Sequence, residues 1–532
     1  MAYDAIVVGA GHNGLVAACY LARAGLSVLV LERRYLVGGA CVTEETFPGF
    51  RVSTAAYVTS LFRKEIVRDL RLAEYGFAVL PRDPASFTPY PDGRCLLLGA
   101  DPVVNHREIS KFSPQDAERY PEYEAMLERV AAFVEPTLTV TPPNLLQPGL
   151  RDLLRLMTLG RSFRRLGSAA SEAVEVLTGP ARTVLDRWFE SAELKSTLAT
   201  DAIIGAMASP STPGTGYVLF HHVMGETDGR RGVWGHVRGG MGGLTQALAR
   251  AARDLDVDIR CEAEVARILV RNGRVTGVAL LSGDEFHAPV VASNADARVT
   301  FTRLVDPGAL PPEFVAAVGR ISYESASLKI NVALGELPSF RACPGSEPGP
   351  QHRGTIHICP DMDYIERAYD DAKYGQPSAR PVLECTIPSV VDPTVAPPGR
   401  HLMSIFVQYA PYALRGSTWD VEGERFADRC FDLLDEYAPN FSRAVLARQV
   451  LTPLDIERTF NLTGGNIFQG AMTPGQLFSL RPVPGYAGYR TPVKGLYLCG
   501  AAAHPGGGVM GTPGWNAARE ILRARRFRFI AT

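Results

Sequence analysis

The chain has 532 residues, of which 46% are hydrophobic and 9% aromatic, and its formal net charge is −1. This length predicts two or three domains with a large buried core, and the balanced charge provides no general attraction to nucleic acid. Because no run of about 18 apolar residues occurs, we expect no membrane-spanning helix.

The first predicted elements are a strand, a glycine-rich turn, a helix and a second strand that ends on an acid. They comprise Ala5–Val8, Gly9-x-Gly11-x-x-Gly14, Leu15–Ala24, Ser27–Leu31 and Glu32. Glycines in this pattern permit a tight turn, a close approach of the backbone to a pyrophosphate and close helix–strand packing. The helix N-terminus offers free N–H groups to phosphates, and the acid accepts hydrogen bonds from ribose hydroxyls. The segment predicts a dinucleotide-binding site rather than an ordinary glycine-rich turn.

Two later segments also lead through glycines into a helix. Trp234–Arg253 is a glycine turn that opens a helix, and short β-branched strands follow it. Gly495–Gly500 is a strand that leads through three glycines to another helix. We therefore predict an α/β fold with a discontinuous Rossmann-like nucleotide-binding domain, formed by residues 1–75, 226–304 and 455–532. An α+β substrate domain is predicted from residues 76–225 and 305–454.

The predicted substrate domain is mostly helical over residues 113–205 and has mixed elements after residue 305. One helix there carries an apolar stripe at helical spacing, made of Leu150, Leu153, Leu154 and Met157. Several arginines surround this stripe. Such a basic amphipathic helix is typical of a membrane-surface contact, although a lid that packs on the substrate domain is the interpretation we favour.

Two features favour FAD over NAD as the dinucleotide. A Gly38-Gly39 pair soon after Glu32 permits another close approach to the ligand, and the late strand over Gly495–Gly500 ends at glycines. In two-domain flavoproteins the helix after such a strand points its N-terminus at the flavin. The run from Gly240 to Thr245 has threonine where a second Gly-x-Gly-x-x-Gly motif would have its third glycine, and the glycines of Gly506–Gly511 belong to the segment assigned to FAD, so we expect no docking domain for NAD(P)H.

Six longer blocks carry a resemblance to a known family. They are Val8–Gly14, Phe47–Phe50, Trp234–Gly242, Ser293–Asp296, Asn461–Ile467 and His504–Gly511. Through them nearly the whole chain resembles the phytoene desaturase-type FAD oxidoreductases, within the amine-oxidase-like flavoproteins. Within that group the chain resembles the branch called pyridine nucleotide-disulfide oxidoreductase domain-containing protein 2. That name does not describe the chemistry expected here, because the sequence has no Cys-x-x-Cys pair.

The motifs and the resemblance together give a set of expected site residues. The expected FAD-binding residues are Gly9, Gly11, His12, Asn13, Gly14, Glu32, Arg33, Gly39, Ala40, Val265, Asn294, Gly500, Met510 and Gly511. His236, which the resemblance places at the domain junction, and His504, which precedes three glycines, are candidate catalytic residues. The alternative for His504 is a helix-capping or core histidine. No metal site is expected, since no cluster of ligands occurs at usable spacing.

The resemblance implies an FAD-dependent oxidoreductase of the dehydrogenase, desaturase or isomerase type. Such an enzyme transfers a hydride to or from flavin N5, and we expect an apolar or amphipathic small molecule as its substrate. One alternative is an oxidase of amines or amino-acid derivatives that uses O2. A second alternative is a non-catalytic protein that FAD stabilises and that binds other proteins.

The nine cysteines are scattered, which suits a reducing compartment. The nucleotide motif begins at Tyr3 and leaves no room for a signal peptide, so we expect a cytoplasmic protein. Peripheral contact with the inner membrane face is a further expectation, with the mitochondrial matrix as the location if the source is eukaryotic. We expect a small-molecule substrate and no nucleic-acid partner, and the sequence assigns no oligomeric state.

Overall fold

The computed structural model describes residues 3–227 and 229–531 of the chain. Its strands are β1 Ala5–Val8, β2 Val28–Leu31, β3 Thr43–Phe47, β4 Phe50–Ser53, β5 Val79–Pro81, β6 Ser86–Pro89, β7 Cys95–Leu98, β8 Glu226–Thr227, β9 Arg230–Arg231, β10 Gly235–Val237, β11 Asp258–Arg260, β12 Val265–Arg271, β13 Arg274–Leu280, β14 Glu285–His287, β15 Val291–Ser293, β16 Ser327–Leu334, β17 Thr355–Ile358, β18 Val382–Thr386, β19 His401–Gln408, β20 Val445–Leu451 and β21 Leu496–Leu498.

The α-helices alternate with these strands and with short 3-10 turns. They are α1 His12–Arg23, α2 Lys64–Asp69, α3 Pro102–Ser110, α4 Pro114–Leu138, α5 Leu150–Arg164, α6 Ala169–Thr178, α7 Ala181–Trp188, α8 Ala192–Ala199, α9 Thr215–Val223, α10 Gly242–Asp254, α11 Ala297–Val299, α12 Pro312–Gly319, α13 Pro350–Arg353, α14 Met362–Lys373, α15 Trp419–Tyr437, α16 Phe441–Ala444, α17 Pro453–Phe460 and α18 Thr512–Ala531. Within the described ranges, none of these helices is both long enough and apolar enough to span a bilayer.

The first sheet has five strands in the order β11-β2-β1-β15-β21, and all neighbouring pairs are parallel. Strands β1, β2, β15 and β21 are buried along their whole length, as expected for a parallel sheet covered on both faces. Helix α1 packs against both α10 and α18. The strands come from three separated parts of the chain, so this sheet is discontinuous in sequence.

The second sheet has seven strands in the order β20-β16-β19-β18-β17-β6-β7. Alternate residues of its central strands, among them Ile330, Ile356 and Ile405, pack in an apolar core. Helix α15 closes that core with Phe426 and Leu434. Successive side chains of a strand point to opposite faces of the sheet. The residues next to these isoleucines along each strand therefore face the other way, toward a layer of helices.

Helices α4 to α9 form this layer. The apolar faces of α4 and of α6 to α9 share one core, which includes Tyr123, Leu127, Val184 and Phe220, whereas no residue of α5 is buried. The layer and the two sheets surround a common space, and that space contains the candidate functional site.

The predicted fold class is confirmed, since the structure combines a discontinuous parallel sheet with an α+β part. The predicted domain boundaries stay a prediction. Strand β1 coincides with its predicted bounds, and helix α1 begins three residues before the predicted Leu15. Strands β6, β17, β18 and β20 and helix α14 were not predicted.

Candidate functional site

A cavity of about 1230 Å³ connects the first sheet with the second. Its lining includes Val8 and Leu31 at the ends of β1 and β2, several residues of the seven-stranded sheet, and residues of helices α4, α8 and α9. Small-molecule pockets usually measure about 300–1,000 Å³. The volume is therefore large enough to hold a dinucleotide together with a second, smaller molecule.

Most of the residues expected to bind FAD line this cavity. Those that do are Gly9, Gly11, His12, Asn13, Glu32, Arg33, Gly39, Ala40, Val265 and Asn294. Four others, Gly14, Gly500, Met510 and Gly511, are not among the lining residues. Gly14 lies behind the turn, where a Cβ atom would come 2.2 Å from the Gly9 carbonyl oxygen. Its role is the close helix–strand packing that the motif predicts.

The turn between β1 and α1 has the features that a pyrophosphate requires. A Cβ atom on Gly11 would approach Asn294 Nδ2 to 2.7 Å and occupy the narrow space beside the turn. The first turn of α1 contains no acidic residue, and no side chain caps its N-terminus. The buried Asn13 Oδ1 has no hydrogen-bond partner within the described chain. These observations fit a phosphate group at the helix N-terminus.

Glu32 combines a structural role with its position in the cavity lining. Its Oε2 accepts a hydrogen bond of 2.8 Å from the Ala10 N–H, and its Oε1 accepts one of 3.0 Å from the Arg34 N–H. The carboxylate thus fixes the glycine turn relative to the segment after β2. Each carboxylate oxygen can accept a second hydrogen bond, so a ribose hydroxyl can also be bound there.

The segment between β21 and α18 reaches the cavity through Ala501, Gly507, Gly508 and Val509. Val509 has a φ of +55°, which is an outlier for a β-branched residue. Strained backbone of this kind persists only where the surrounding structure holds it, and such sites are enriched at ligand contacts. Helix α18 begins three residues later, so its N-terminus lies near this part of the cavity.

One row of residues across the seven-stranded sheet lines the opposite part of the cavity. Lys329 on β16 is paired with Phe406 on β19, and Phe406 is paired with Glu384 on β18. Glu384 in turn is paired with His357 on β17. Thr355, which lies two residues before His357 on β17, extends the row. It is paired with Ser86 on β6, and Ser86 is paired with Leu98 on β7. All of these residues line the cavity.

Lys329 is the cation at one end of this row. Its Nζ donates hydrogen bonds to the Ser53 carbonyl oxygen at 3.2 Å and to Asn331 Oδ1 at 2.8 Å, and it lies 5.0 Å from the centre of the Tyr57 ring. No carboxylate of the described chain lies within ion-pair distance of it. Burial lowers the pKa of Lys329 to about 7, so its amine can gain or lose a proton near neutral pH.

Two acids lie in the same part of the cavity. Glu384 accepts a hydrogen bond of 2.7 Å from the Tyr57 hydroxyl. Burial raises the pKa of Glu384, while the hydrogen bond from Tyr57 and the charge of Arg82 act in the opposite direction. Burial together with the nearby Glu384 raises the pKa of Asp201 to about 7. Lys329 and Asp201 therefore give the cavity two groups that can exchange protons near neutral pH.

The two candidate catalytic histidines do not line the cavity. His236 lies behind Tyr57, with its Nδ1 3.4 Å from the Tyr57 carbonyl oxygen. His504 Nε2 donates to the Thr137 carbonyl oxygen at 2.9 Å and so joins α4 to the segment before α18. Burial lowers the pKa of His236 to about 3 and that of His504 to about 4. Their catalytic role stays a prediction, and their placement favours a supporting role instead.

Sequence reasoning missed the row on the second sheet. A signal was present, because His357 and Glu384 are single polar residues inside short apolar runs and Lys329 alternates with Ser327 and Asn331 in another. A polar residue in such a run interrupts the pattern by which a buried strand is recognised. Only the pairing of the strands shows that these interruptions lie side by side.

Similarity to known proteins extends over most of the chain. Residues 14–365 match the sequence family described as flavin containing amine oxidoreductase. A protein of Rattus norvegicus, pyridine nucleotide-disulfide oxidoreductase domain-containing protein 2, is 48% identical over 542 residues, which cover 98% of this chain and 93% of that protein. A phytoene desaturase (lycopene-forming) of Pseudescherichia vulneris is 26% identical over 520 residues, covering 95% and 96% of the two chains.

A similarity in fold extends to solved structures. Cyclohexylamine oxidase from Brevibacterium oxydans superposes with a TM-score of 0.57 at 17% sequence identity, over 98% of both chains. At this level of identity the superposition shows a shared fold alone.

Proposed function

We propose, since the chain belongs to the family of flavin containing amine oxidoreductases, that it dehydrogenates or isomerises an amphipathic small molecule. Family membership makes the protein an FAD-dependent oxidoreductase and confirms both FAD as its cofactor and the resemblance predicted from the sequence. The class of substrate and the type of reaction are our proposal.

The observation that carries the proposal is the composition of the cavity beyond the nucleotide motif. Its lining there is mainly apolar, with side chains such as Leu127, Ile204 and Phe406, yet it ends at the ionisable residues Lys329 and Glu384. Such a lining suits a molecule with an apolar body and one polar end, because buried polar groups require partners.

The division of chemical roles follows from the same arrangement. FAD, when bound, supplies the group that accepts or returns a hydride. Removal of a hydride from one substrate carbon in a dehydrogenation leaves a proton to be taken from its neighbour. Lys329 Nζ can accept this proton, because its pKa near 7 leaves a substantial fraction of the amine neutral at physiological pH. The apolar lining excludes water from the reacting atoms.

Oxidation of an amine by O2 is the second candidate function. It is favoured by the family description, by the carboxyl groups of Glu384 and Asp201, and by the aromatic side chains of Tyr57 and Trp234 in the lining. Acids and aromatic rings both attract cationic ammonium groups. A non-catalytic role is less well supported, since a protein that used FAD only for stability would not require so large an additional cavity.

Anaerobic mixing experiments can separate these functions. The FAD-loaded protein is mixed without O2 with saturated and unsaturated amphipathic compounds or with primary amines, and the flavin absorbance is followed. Bleaching by the former group supports the proposal, whereas bleaching by amines alone would replace it with the oxidase function. Photoreduced protein is then mixed with O2, a quinone or NAD(P)+, and the fastest reoxidation identifies the class of electron acceptor.

We further propose that the surface around α5 contacts an anionic membrane. Half of the large hydrophobic residues that are exposed in the described part of the chain lie in this short stretch, namely Val140, Leu145, Leu146, Leu150, Leu153, Leu154 and Met157. No residue of α5 is buried, and Arg151, Arg161 and Arg164 are exposed on the same helix. Exposed leucines beside arginines suit the boundary between anionic headgroups and acyl chains. We therefore propose a membrane contact for α5 rather than the lid that the sequence favoured.

A further inference from the structure

Arg82 follows strand β5 and is a deeply buried cation in the cavity lining. Only 4% of its surface is exposed. Its Nη1 donates a hydrogen bond of 2.6 Å to Thr355 Oγ1, and its Nε donates to the Trp234 carbonyl oxygen at 3.3 Å. The remaining Nη has no hydrogen-bond partner within residues 3–227 and 229–531. Two of the three guanidinium nitrogens therefore fix the group in place, and the third is available to a ligand.

Among the residues that the structure describes, no carboxylate forms an ion pair with this guanidinium. The carboxyl groups of Glu384 and Asp201 influence its pKa from a distance, but neither lies within ion-pair distance of Arg82 in the described chain. Buried charges in proteins are normally paired, because removing an unpaired charge from water is costly. A carboxyl group can avoid this cost by binding a proton, whereas a guanidinium stays charged at all physiological pH values.

We infer that the cavity binds an amphipathic carboxylate whose oxygens pair with Arg82. This inference rests on the proposed function and specifies the polar end of its substrate. A carboxylate matches the planar guanidinium better than a neutral hydroxyl does, because its two oxygens accept parallel hydrogen bonds.

A second polar group faces the same space without a partner. His357 lines the cavity and is almost completely buried, and its Nδ1 has no hydrogen-bond partner in the described chain. Thr355, which accepts the hydrogen bond from Arg82, lies two residues before His357 on β17. The two side chains therefore project from the same face of one strand. An imidazole N–H at Nδ1 can donate to the ligand carboxylate beside the guanidinium.

The rest of the lining determines what kind of carboxylate fits. Leu98, Leu198, Leu219 and Val233 line the cavity together with the aromatic side chain of Phe468. These residues give an apolar surface for a hydrocarbon chain or ring. Short hydrophilic acids would leave this surface without contacts, so the expected ligand has an extended apolar part.

The direct test compares three ligands that have the same apolar chain and different polar ends. Octanoate, octan-1-ol and octylamine are titrated into the FAD-loaded protein at pH 7.5 by isothermal titration calorimetry. A hydrogen bond to a charged group contributes about 1.5–3 kcal/mol, which corresponds to about 10- to 100-fold in affinity. We expect octanoate to bind at least about 10-fold more tightly than octan-1-ol and octylamine.

Variants connect the preference with Arg82. Arg82→Met should abolish the preference for octanoate, and Arg82→Lys should retain part of it. Arg380→Met is the matched control, because Arg380 is exposed and pairs with Glu436 on the surface. If Arg82→Met fails to fold, the comparison of the three ligands with the unmodified protein still decides the inference.

The other outcomes contradict the inference in distinct ways. Tightest binding of octylamine would assign the polar end to Glu384 and Asp201, and equal binding of all three compounds would show that no charge is recognised. The flavin absorbance of the same samples tests the proposed function separately. Flavin absorbance that stays unchanged with amphipathic compounds in the absence of O2 would contradict that function, while the order of the three affinities would still decide the role of Arg82.

Discussion

The Tyr57 hydroxyl donates a hydrogen bond of 2.7 Å to Glu384 Oε1, across a separation of 327 residues in the chain. Tyr57 follows the β3–β4 hairpin, and Glu384 lies at the centre of the seven-stranded sheet. Both side chains line the cavity. This contact joins the segment that follows the nucleotide motif to the proposed substrate-binding row, so the relative position of the two parts of the site depends on it.

The glycine turn gives a first prediction. Gly11→Ala should greatly reduce FAD content, because the added Cβ would lie 2.7 Å from Asn294 Nδ2 in the space beside the turn. Gly319→Ala is the control, since no atom lies within 4 Å of the Cβ position there. FAD released on denaturation is measured by absorbance in both purified variants. Full occupancy in Gly11→Ala would show that the pyrophosphate is bound elsewhere.

Glu32 gives a prediction with two readouts. Glu32→Ala should weaken FAD binding by about 10- to 100-fold, because a hydrogen bond to a charged acceptor contributes about 1.5–3 kcal/mol. It should also lower the Tm of the FAD-free protein, since the Ala10 and Arg34 N–H groups lose their acceptor. Titration of FAD and a thermal melt check the two effects. A lower Tm with unchanged FAD affinity would limit Glu32 to its structural role.

Lys329 gives a prediction about pH. Burial lowers its pKa from the ordinary 10.5 to about 7 in the folded protein. Between these values the unfolded chain binds more protons than the folded protein, so the contribution of Lys329 to stability increases with pH. Lys329→Met removes this contribution. The difference in Tm between the variant and the unmodified protein should therefore be more negative at pH 9.5 than at pH 7.

A surface lysine provides the control for this measurement. Lys64 is exposed and pairs only with Glu226 in the described chain. Lys64→Met should change Tm by a similar amount at both pH values. If Lys329→Met behaves in the same way, Lys329 is not a desolvated amine, and its assignment as the proton acceptor is wrong.

The exposed surface around α5 gives a prediction about membranes. The protein should float with vesicles that contain phosphatidylglycerol, and Leu153→Asp combined with Leu154→Asp should abolish flotation without loss of FAD. Val421→Asp combined with Leu446→Asp is the matched control, because both of these side chains are exposed outside α5. Absence of flotation for the unmodified protein would eliminate the membrane contact and return α5 to the role of a lid.

The sequence alone determined the nucleotide-binding part of the protein. The glycine turn, helix α1 and Glu32 lie within 28 residues of β1, and each has a predicted role that depends on local geometry. A tight turn needs glycine and a helix N-terminus has free N–H groups wherever it occurs. These properties can therefore be inferred before any tertiary contact is known, and the resemblance to a family strengthened them.

Only the tertiary structure decided what lies opposite the nucleotide. Lys329, His357 and Glu384 come from three strands, and their alignment depends on the register between those strands, which hydrogen bonds and packing across the sheet determine. The burial of Arg82 likewise depends on side chains distant in sequence. The two candidate histidines lie outside the cavity lining, although the glycines beside them suggested a site, and their catalytic role stays a prediction. A glycine turn or a helix N-terminus can be predicted from consecutive residues, but a binding site between two sheets forms only when the whole chain has folded.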